Sequence, residues 1–226
     1  MLPRFLIFAI VLALFEVPAA DAGVVRGTLW MNRRAPAASK TIAEKPAIAR
    51  MQRGVSEAVI YIEKVPESVE RKLSGRGGFA LFRRAPKPWV PRIVQRNRMF
   101  APRVLAIPAG TQVEFQNLDR VYHNAFSVST ARRFDLGKYA PGKTDTVKFD
   151  RAGVINLHCD IHPDMLGFIV VTPNHAYVRP DSLGHFTLPK LPAGPYTVRV
   201  WHARRGEIRR AIDMPARGDV DLDLSF

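Results

Sequence analysis

The sequence predicts an all-β fold, and three observations carry that expectation. From Val24 onward, short alternating or apolar runs are separated by turn residues, the rhythm of strands rather than helices. The 18 prolines and 15 glycines follow no fixed period, which disfavours long helices and excludes a collagen repeat. No internal stretch reaches the roughly 18 apolar residues of a membrane-spanning helix. At 226 residues, 47% hydrophobic and 24% charged, the chain has globular proportions and room for one large or two modest domains.

Taken in order, the N-terminus reads as a secretory signal over residues 1–22. Arg4 supplies the positive start, residues 5–15 are an unbroken apolar run, and Pro18 ends it. Ala20-Asp21-Ala22 then has the small-x-small form of a cleavage site before Gly23. The apolar run is too short to span a bilayer comfortably, so a cleaved signal and a periplasmic or secreted chain are expected. Cleavage would remove Arg4, Glu16 and Asp21, leaving the exported chain more basic still. The chain has one cysteine, Cys159, which excludes an internal disulfide framework and any multi-cysteine zinc site. A lone thiol in an oxidising compartment is a hazard unless something occupies it.

Strands are predicted at 24–30 and 57–62, separated by a polar, proline-containing insert over 32–53. Residues 66–73 suit two turns of helix. The stretch 71–103 holds ten basic residues and no acidic one, with Gly75, Gly77, Gly78, Pro86, Pro88 and Pro91. It reads as an irregular, exposed connector. Further strands follow at 103–107, 112–117, 144–149, 154–158 and 168–171, with turns at Ala109-Gly110 and Pro141-Gly142. The tail repeats the pattern at 177–178, 185–188 and 196–201, broken by turns at Asp181–Gly184 and Pro192-Ala193-Gly194. Residues 219–226 alternate once more and are placed to close a sheet.

The chemistry concentrates in His158-Cys159-Asp160-Ile161-His162-Pro163-Asp164-Met165. A thiolate, an imidazole and a thioether fall within seven residues, directly after a predicted strand. A second imidazole, His123, lies upstream beside Asn124. Two imidazoles, one thiolate and a weak thioether make the ligand set of a mononuclear blue-copper site. Soft sulfur suits Cu(I), imidazole suits both oxidation states, and a constrained geometry keeps rearrangement small during one-electron transfer. A tight turn after Cys159, stiffened by Pro163, would fold His162 and Met165 back onto one ion. His158 alternates to the opposite face, and His175, His185 and His202 read as surface or packing residues.

These residues resemble the cupredoxins, and among them the amicyanin and plastocyanin group. The order His…Cys-x-x-His-x-x-Met carries the likeness, with Phe100-Ala101-Pro102, Gly110-Thr111-x-Val113-x-Phe115-x-Asn117 and His123-Asn124. The resemblance implies a Greek-key sandwich over 92–172 binding one type 1 copper ion. It implies His123, Cys159 and His162 as equatorial ligands, Met165 as the weak axial one, and Asn124 tying the two ligand loops together by hydrogen bonding. It also implies electron passage through the exposed edge of His162. The amicyanin-type loop associates the chain with methylamine utilization, although no partner for that process is visible in the sequence.

A second resemblance lies in the flanks. Asp181-x-x-Gly184-x-Phe186-x-Leu188-x-x-Leu191-Pro192-Ala193-Gly194-x-Tyr196-x-Val198-x-Val200 is similar to the carboxypeptidase regulatory-like, transthyretin-type sandwich. Gly27-Thr28 and Ala58-Val59 fit that family's opening strands. The expected organisation is therefore a second, discontinuous β-sandwich made of 24–65 and 173–226, a basic connector at 66–91, and the cupredoxin inserted between.

The expected function is an exported blue-copper protein carrying single electrons, without bond-making chemistry of its own. The alternatives are a periplasmic copper-binding or copper-delivery protein using the same ligands, and an exported structural or glycan-binding sandwich. A balance of 34 basic to 20 acidic residues, net +14, points to an acidic redox partner or an anionic membrane surface. Nucleic acid is not expected, because the basic tract lacks interleaved stacking aromatics of a known module. Serine-hydrolase elbows, phosphate-binding glycine loops and His-Glu-x-x-His zinc motifs are absent from the sequence.

Overall fold

The computed structural model describes residues 22–31, 54–75 and 90–226. The expected signal up to residue 21, the polar insert 32–53 and the centre of the basic stretch, 76–89, lie outside the described residues. The described chain is all-β with one short helix. In order, the elements are β1 (Val25–Trp30), β2 (Val59–Ile62), α1 (Glu67–Leu73), β3 (Arg92–Arg96), β4 (Met99–Ala101) and β5 (Val104–Pro108). There follow β6 (Thr111–Asn117), β7 (His123–Ser127), β8 (Phe134–Tyr139), β9 (Thr144–Phe149), β10 (Gly153–His158) and β11 (Leu166–Thr172). The tail adds β12 (Tyr177–Val178), β13 (His185–Thr187), β14 (Gly194–His202), β15 (Gly206–Met214), β16 (Val220–Asp221) and β17 (Leu224–Ser225).

Four sheets result. The first has the order β13-β1-β16, with β17 also pairing β1, and the second runs β12-β2-β14-β15. Strands from both ends of the described chain thus share each of these sheets. The third sheet runs β5-β11-β10-β7-β8 and the fourth β4-β3-β6-β9. Three apolar clusters join them in series. Val25, Leu29, Ile60, Ile62, Val198, Val200 and Leu224 fill the space between the first two sheets. Ile107, Phe115, Phe149, Ile155, Leu157 and Ile169 fill it between the last two. Between the second and third sheets lie Val59, Tyr61, Trp201, Val104, Ala106, Phe168 and Val170.

Strand alternation explains how two cores and a seam arise from single strands. In β2, Ile60 and Ile62 face one core while Val59 and Tyr61 face the seam. In β11, Ile169 and Val171 face the other core while Phe168 and Val170 face the seam. A strand buried on both faces reads as a nearly continuous apolar run, as β2, β5 and residues 168–171 of β11 do. Polar groups close the seam. Arg179 donates to Val104 O (3.0 Å), Asn174 Nδ2 donates to Ile62 O (2.9 Å), and Arg103 pairs with Glu57 at 2.5 Å. Gly27 has a local reason of its own. A Cβ there would lie 1.9 Å from Leu222 O, so the chain between β16 and β17 passes β1 only because glycine occupies that position.

Two expectations are corrected here. The stretch 71–103 is not wholly an exposed connector, because β3 and β4 lie within it and bury Ile93, Gln95 and Phe100. Arg92 and Arg96 occupy the outward positions of β3, so its basic composition masked an ordinary alternation. Strands β8 and β15 were not anticipated. Both are sheet edges whose charged residues face solvent, and neither needs an apolar run.

Candidate metal centre

The site forms at one end of the third sheet. Strand β7 opens with His123, which is fully buried. Strand β10 ends at His158, and the following loop, 159–165, turns back into β11. That loop is closed by Met165 N–H donating to His162 O (3.0 Å). Cys159 and Met165 are both buried within the core shared by the third and fourth sheets, while His162 is half-exposed.

His123, Cys159 and His162 come together as one cluster, their candidate ligand atoms all within 4.8 Å of one another. Cys159 Sγ lies 3.9 Å from His123 Nδ1 and 3.8 Å from His162 Nδ1. The two imidazole rings sit 4.8 Å apart, tilted by 56°. These separations fit one small ion. A metal–sulfur bond of about 2.3 Å and a metal–nitrogen bond of about 2.0 Å, opened to roughly 120–130°, place the two donors about 3.7–3.9 Å apart. Soft sulfur with two imidazoles suits copper, and two of the three donors, His123 and Cys159, are buried away from water.

Asp119 fixes the orientation of His123, a role the sequence reading did not assign. Its Oδ2 lies 2.7 Å from His123 Nε2. A carboxylate there holds the ring proton on Nε2, which leaves the Nδ1 lone pair facing Cys159. Asp119 is itself held by the backbone N–H groups of Asn97 (2.7 Å) and Arg98 (2.9 Å). Partial burial by itself raises the Asp119 carboxyl. The N–H groups of Arg98 and Asn97 and the His123 ring outweigh it and hold the carboxyl below its ordinary value. Asn97 and Arg98 both adopt positive φ (53° and 55°), the left-handed conformation that aims their N–H groups at this carboxylate. Buried Asn117 braces the same loop, with Nδ2 donating to Val121 O (2.9 Å) and Tyr139 O (3.2 Å). The available signal was an acidic residue four positions before His123, following a strand that ends in Asn117.

Asn124 is buried beside the site, but the bond expected across to the Cys159 loop is not the one it forms. Its Nδ2 donates to Asp135 Oδ1 on β8 (2.7 Å), and its backbone carbonyl accepts from Gln95 Nε2 (2.9 Å). Asp135 is a close carboxylate on the paired strand and a stronger acceptor than a loop carbonyl. Asn124 Oδ1, Gln95 Oε1 and Tyr139 Oη remain buried without partners. Burial first, and then the Cys159 charge, push the Tyr139 hydroxyl far above its ordinary value, so it stays protonated. Burial also lowers the His162 imidazole, followed by the charges of His123 and Arg98.

The other histidines stay outside the cluster. His158 stacks near Phe126 (ring centroids 5.6 Å apart), His175 pairs with Glu70 (2.5 Å) and His185 with Asp181 (3.1 Å). His202 is buried in the flank, with Nε2 3.1 Å from Gly54 O. Among the described residues, His123, Cys159 and His162 are the one group of this kind.

Comparison with known proteins locates the site within a familiar domain. The family model for the Cupredoxin-like domain matches residues 85–171. A copper-containing nitrite reductase from Thermus scotoductus SA-01 aligns at 29% identity over 43% of this chain, with a TM-score of 0.39. The alignment spans 26% of that enzyme. A reduced amicyanin variant aligns at 20% identity over 38% of this chain and 86% of its own, with a TM-score of 0.35. A purple cupredoxin from Nitrosopumilus maritimus aligns at 26% identity over 36% of this chain and 99% of its own, with a TM-score of 0.34. No curated protein sequence matches the chain. Residues 85–171, which hold the whole His123–Cys159–His162 cluster, are a cupredoxin-like domain.

Proposed function

We infer that this chain is an exported type 1 copper protein that carries single electrons. The observation that carries the reading is the Nδ1–Sγ–Nδ1 cluster, with His123 and Cys159 buried, spaced for one ion at the end of a sandwich. His123, Cys159 and His162 would hold the copper, with Met165 as a weaker fourth ligand. Bound copper supplies a site that takes up one electron from a donor and yields one to an acceptor. The chain supplies the rest. Asp119 holds the His123 ring proton away from the metal side, and the fourth sheet excludes water from Cys159. His162, half-exposed, provides the route from the cluster to the surface.

Rigidity favours a carrier. His123 opens β7 and Cys159 directly follows β10 of the same sheet, and Asp119 is locked by three hydrogen bonds, so little can rearrange between oxidation states. Export rests on the N-terminal segment and on the need to protect a lone thiol; among the described residues, no helix is long and apolar enough to cross a membrane. On the same footing we read 24–65 and 173–226 as one discontinuous sandwich of the carboxypeptidase regulatory-like kind, holding the copper domain. Cyclic voltammetry of the copper-loaded protein tests the carrier role. A reversible one-electron wave, with copper retained against a competing chelator, is expected. Copper passed on to the chelator, with irreversible electrochemistry, would instead establish a delivery protein.

A further inference from the structure

Six arginines among the described residues pair with a carboxylate. Arg26 pairs with Asp221 at 2.9 Å, Arg92 with Glu114 at 2.6 Å, and Arg103 with Glu57 at 2.5 Å. Arg96, Arg98 and Arg120 are among those without one, and they are set apart by their place. They line one open cleft of about 600 Å³, and none of them makes an ion pair. Arg96 closes β3, Arg98 sits in the left-handed turn to β4, and Arg120 lies in the loop between β6 and β7. The carboxylate in the cleft, Asp119, already has its oxygens engaged by two backbone N–H groups and His123. Three like charges held together without a partner are unfavourable in the free protein, and an incoming anion relieves them.

Position gives the cleft its meaning. Asp119 joins its floor to His123 at 2.7 Å, so whatever docks there lies one side chain from the metal cluster. Met99 (59% exposed), Tyr122 (59%), Val121 (40%) and Leu118 (38%) add large exposed apolar surface to the same loops. Apolar side chains among unpaired guanidinium groups match a protein surface in which carboxylates surround an apolar patch. Arginine forks bind carboxylates through two parallel N–H bonds, and a concave cleft admits a projecting Asp or Glu. Asp160 and Asp164, exposed on the Cys159 loop, give that side of the site the opposite sign and would orient the partner.

We propose that the Arg96–Arg98–Arg120 cleft is the docking face for an acidic redox protein, whose carboxylates pair with the three arginines beside the metal cluster. The proposal rests on the electron-carrier reading and names the partner of that site. Its test compares two triple variants of the exported chain that lose equal charge. One is Arg96→Gln/Arg98→Gln/Arg120→Gln, and the other is Arg204→Gln/Arg205→Gln/Arg210→Gln on the far flank. The asparagine–arginine turn binds Asp119 through backbone N–H groups, so the cleft variant keeps the fold; Arg120→Gln alone provides a milder second variant.

Binding of a polyglutamate peptide to the metal-free proteins is measured first, by titration calorimetry. Wild type and the flank variant should bind it, the cleft variant should not, and Arg120→Gln should bind it more weakly. The copper-loaded, reduced proteins are then mixed with hexacyanoferrate(III). Each hexacyanoferrate(III) takes one electron to become hexacyanoferrate(II) as one Cu(I) becomes Cu(II). At low salt the cleft variant should react about tenfold or more slowly than wild type, and the flank variant within about twofold of it. Equal losses in both triple variants would overturn the proposal, as would polyglutamate binding that survives in the cleft variant. Binding to anionic phospholipid vesicles through the cleft, without polyglutamate binding, would replace the protein partner by a membrane surface. Absence of a Cys159-dependent copper band, with polyglutamate binding intact, would overturn the redox role while leaving the acidic ligand.

Discussion

The core between the first two sheets is apolar throughout, from Val25 and Leu29 on β1 to Leu224 on β17. The core between the last two sheets begins in the same way, with Phe115, Phe149 and Ile155, but ends in buried Gln95, Asn117, His123, Asn124 and Ser127. Buried polar groups are costly unless paired, and here three of them, Gln95 Oε1, Asn124 Oδ1 and Tyr139 Oη, are not, against one, Trp30 Nε1, on β1. An end of a sandwich that tolerates such groups has been shaped by its ligand cluster rather than for stability alone. The apolar sandwich has no such site among its described residues. It offers a seam of Val59, Tyr61 and Trp201, against which the sheet carrying the His123–Cys159–His162 cluster lays Val104, Ala106, Phe168 and Val170. One half supplies stability and the other uses part of it.

The most severe way to break this division is to open a cavity in the apolar half. Ile60→Ala removes a fully buried side chain and should cost about 2–5 kcal/mol. Because β2 also presents Val59 and Tyr61 to the seam, both halves should melt together at a lower temperature. Calorimetry showing two separate transitions, with the metal half unshifted, would mean the seam does not couple them.

A smaller effect should come from Asp119→Ala in the metal half. The change leaves the Asn97 and Arg98 N–H groups without their acceptor, about 1–3 kcal/mol of stability, and frees the His123 ring. Copper affinity should fall roughly 10–100-fold, while Cys159 still colours the bound metal. Competition with a chromophoric chelator measures this, and unchanged affinity would remove Asp119 from the site.

The smallest effect belongs to His202, a titratable group buried in the otherwise apolar half. Burial lowers its imidazole below the ordinary value of 6.5, against the opposing bond to Gly54 O. The unfolded chain therefore takes up a proton below about pH 6.5 that the native state refuses, so stability falls as pH drops through that range. His202→Gln should flatten this part of the stability profile. Denaturant midpoints measured across it would show a parallel slope if His202 played no part.

Much of this architecture was legible in the residues, for reasons that also explain what was missed. The continuous apolar runs of β2, β5 and β11 announced strands because each lies between two cores. The cluster was legible because Cys159, His162 and Met165 are close in sequence and His123 precedes them at a strand start. Edge strands β8 and β15 were hidden by their charged, solvent-facing residues, and β3 by the arginines around Ile93. Asp119 escaped because its role depends on a turn of β3 and β4 meeting the loop after β6. Asn124 was assigned a bond to the wrong neighbour because Asp135 reaches it only once β8 pairs with β7. Contacts that arise from pairing distant strands leave no local pattern.

The central claim is that Cys159, with His123 and His162, holds a copper ion as a thiolate complex. Visible absorption and electron paramagnetic resonance of the Cu(II)-loaded protein test it most directly. An intense thiolate-to-copper band with narrow hyperfine splitting, abolished in Cys159→Ser, is the predicted result. A weak, ordinary Cu(II) spectrum that is the same in wild type and Cys159→Ser would contradict it.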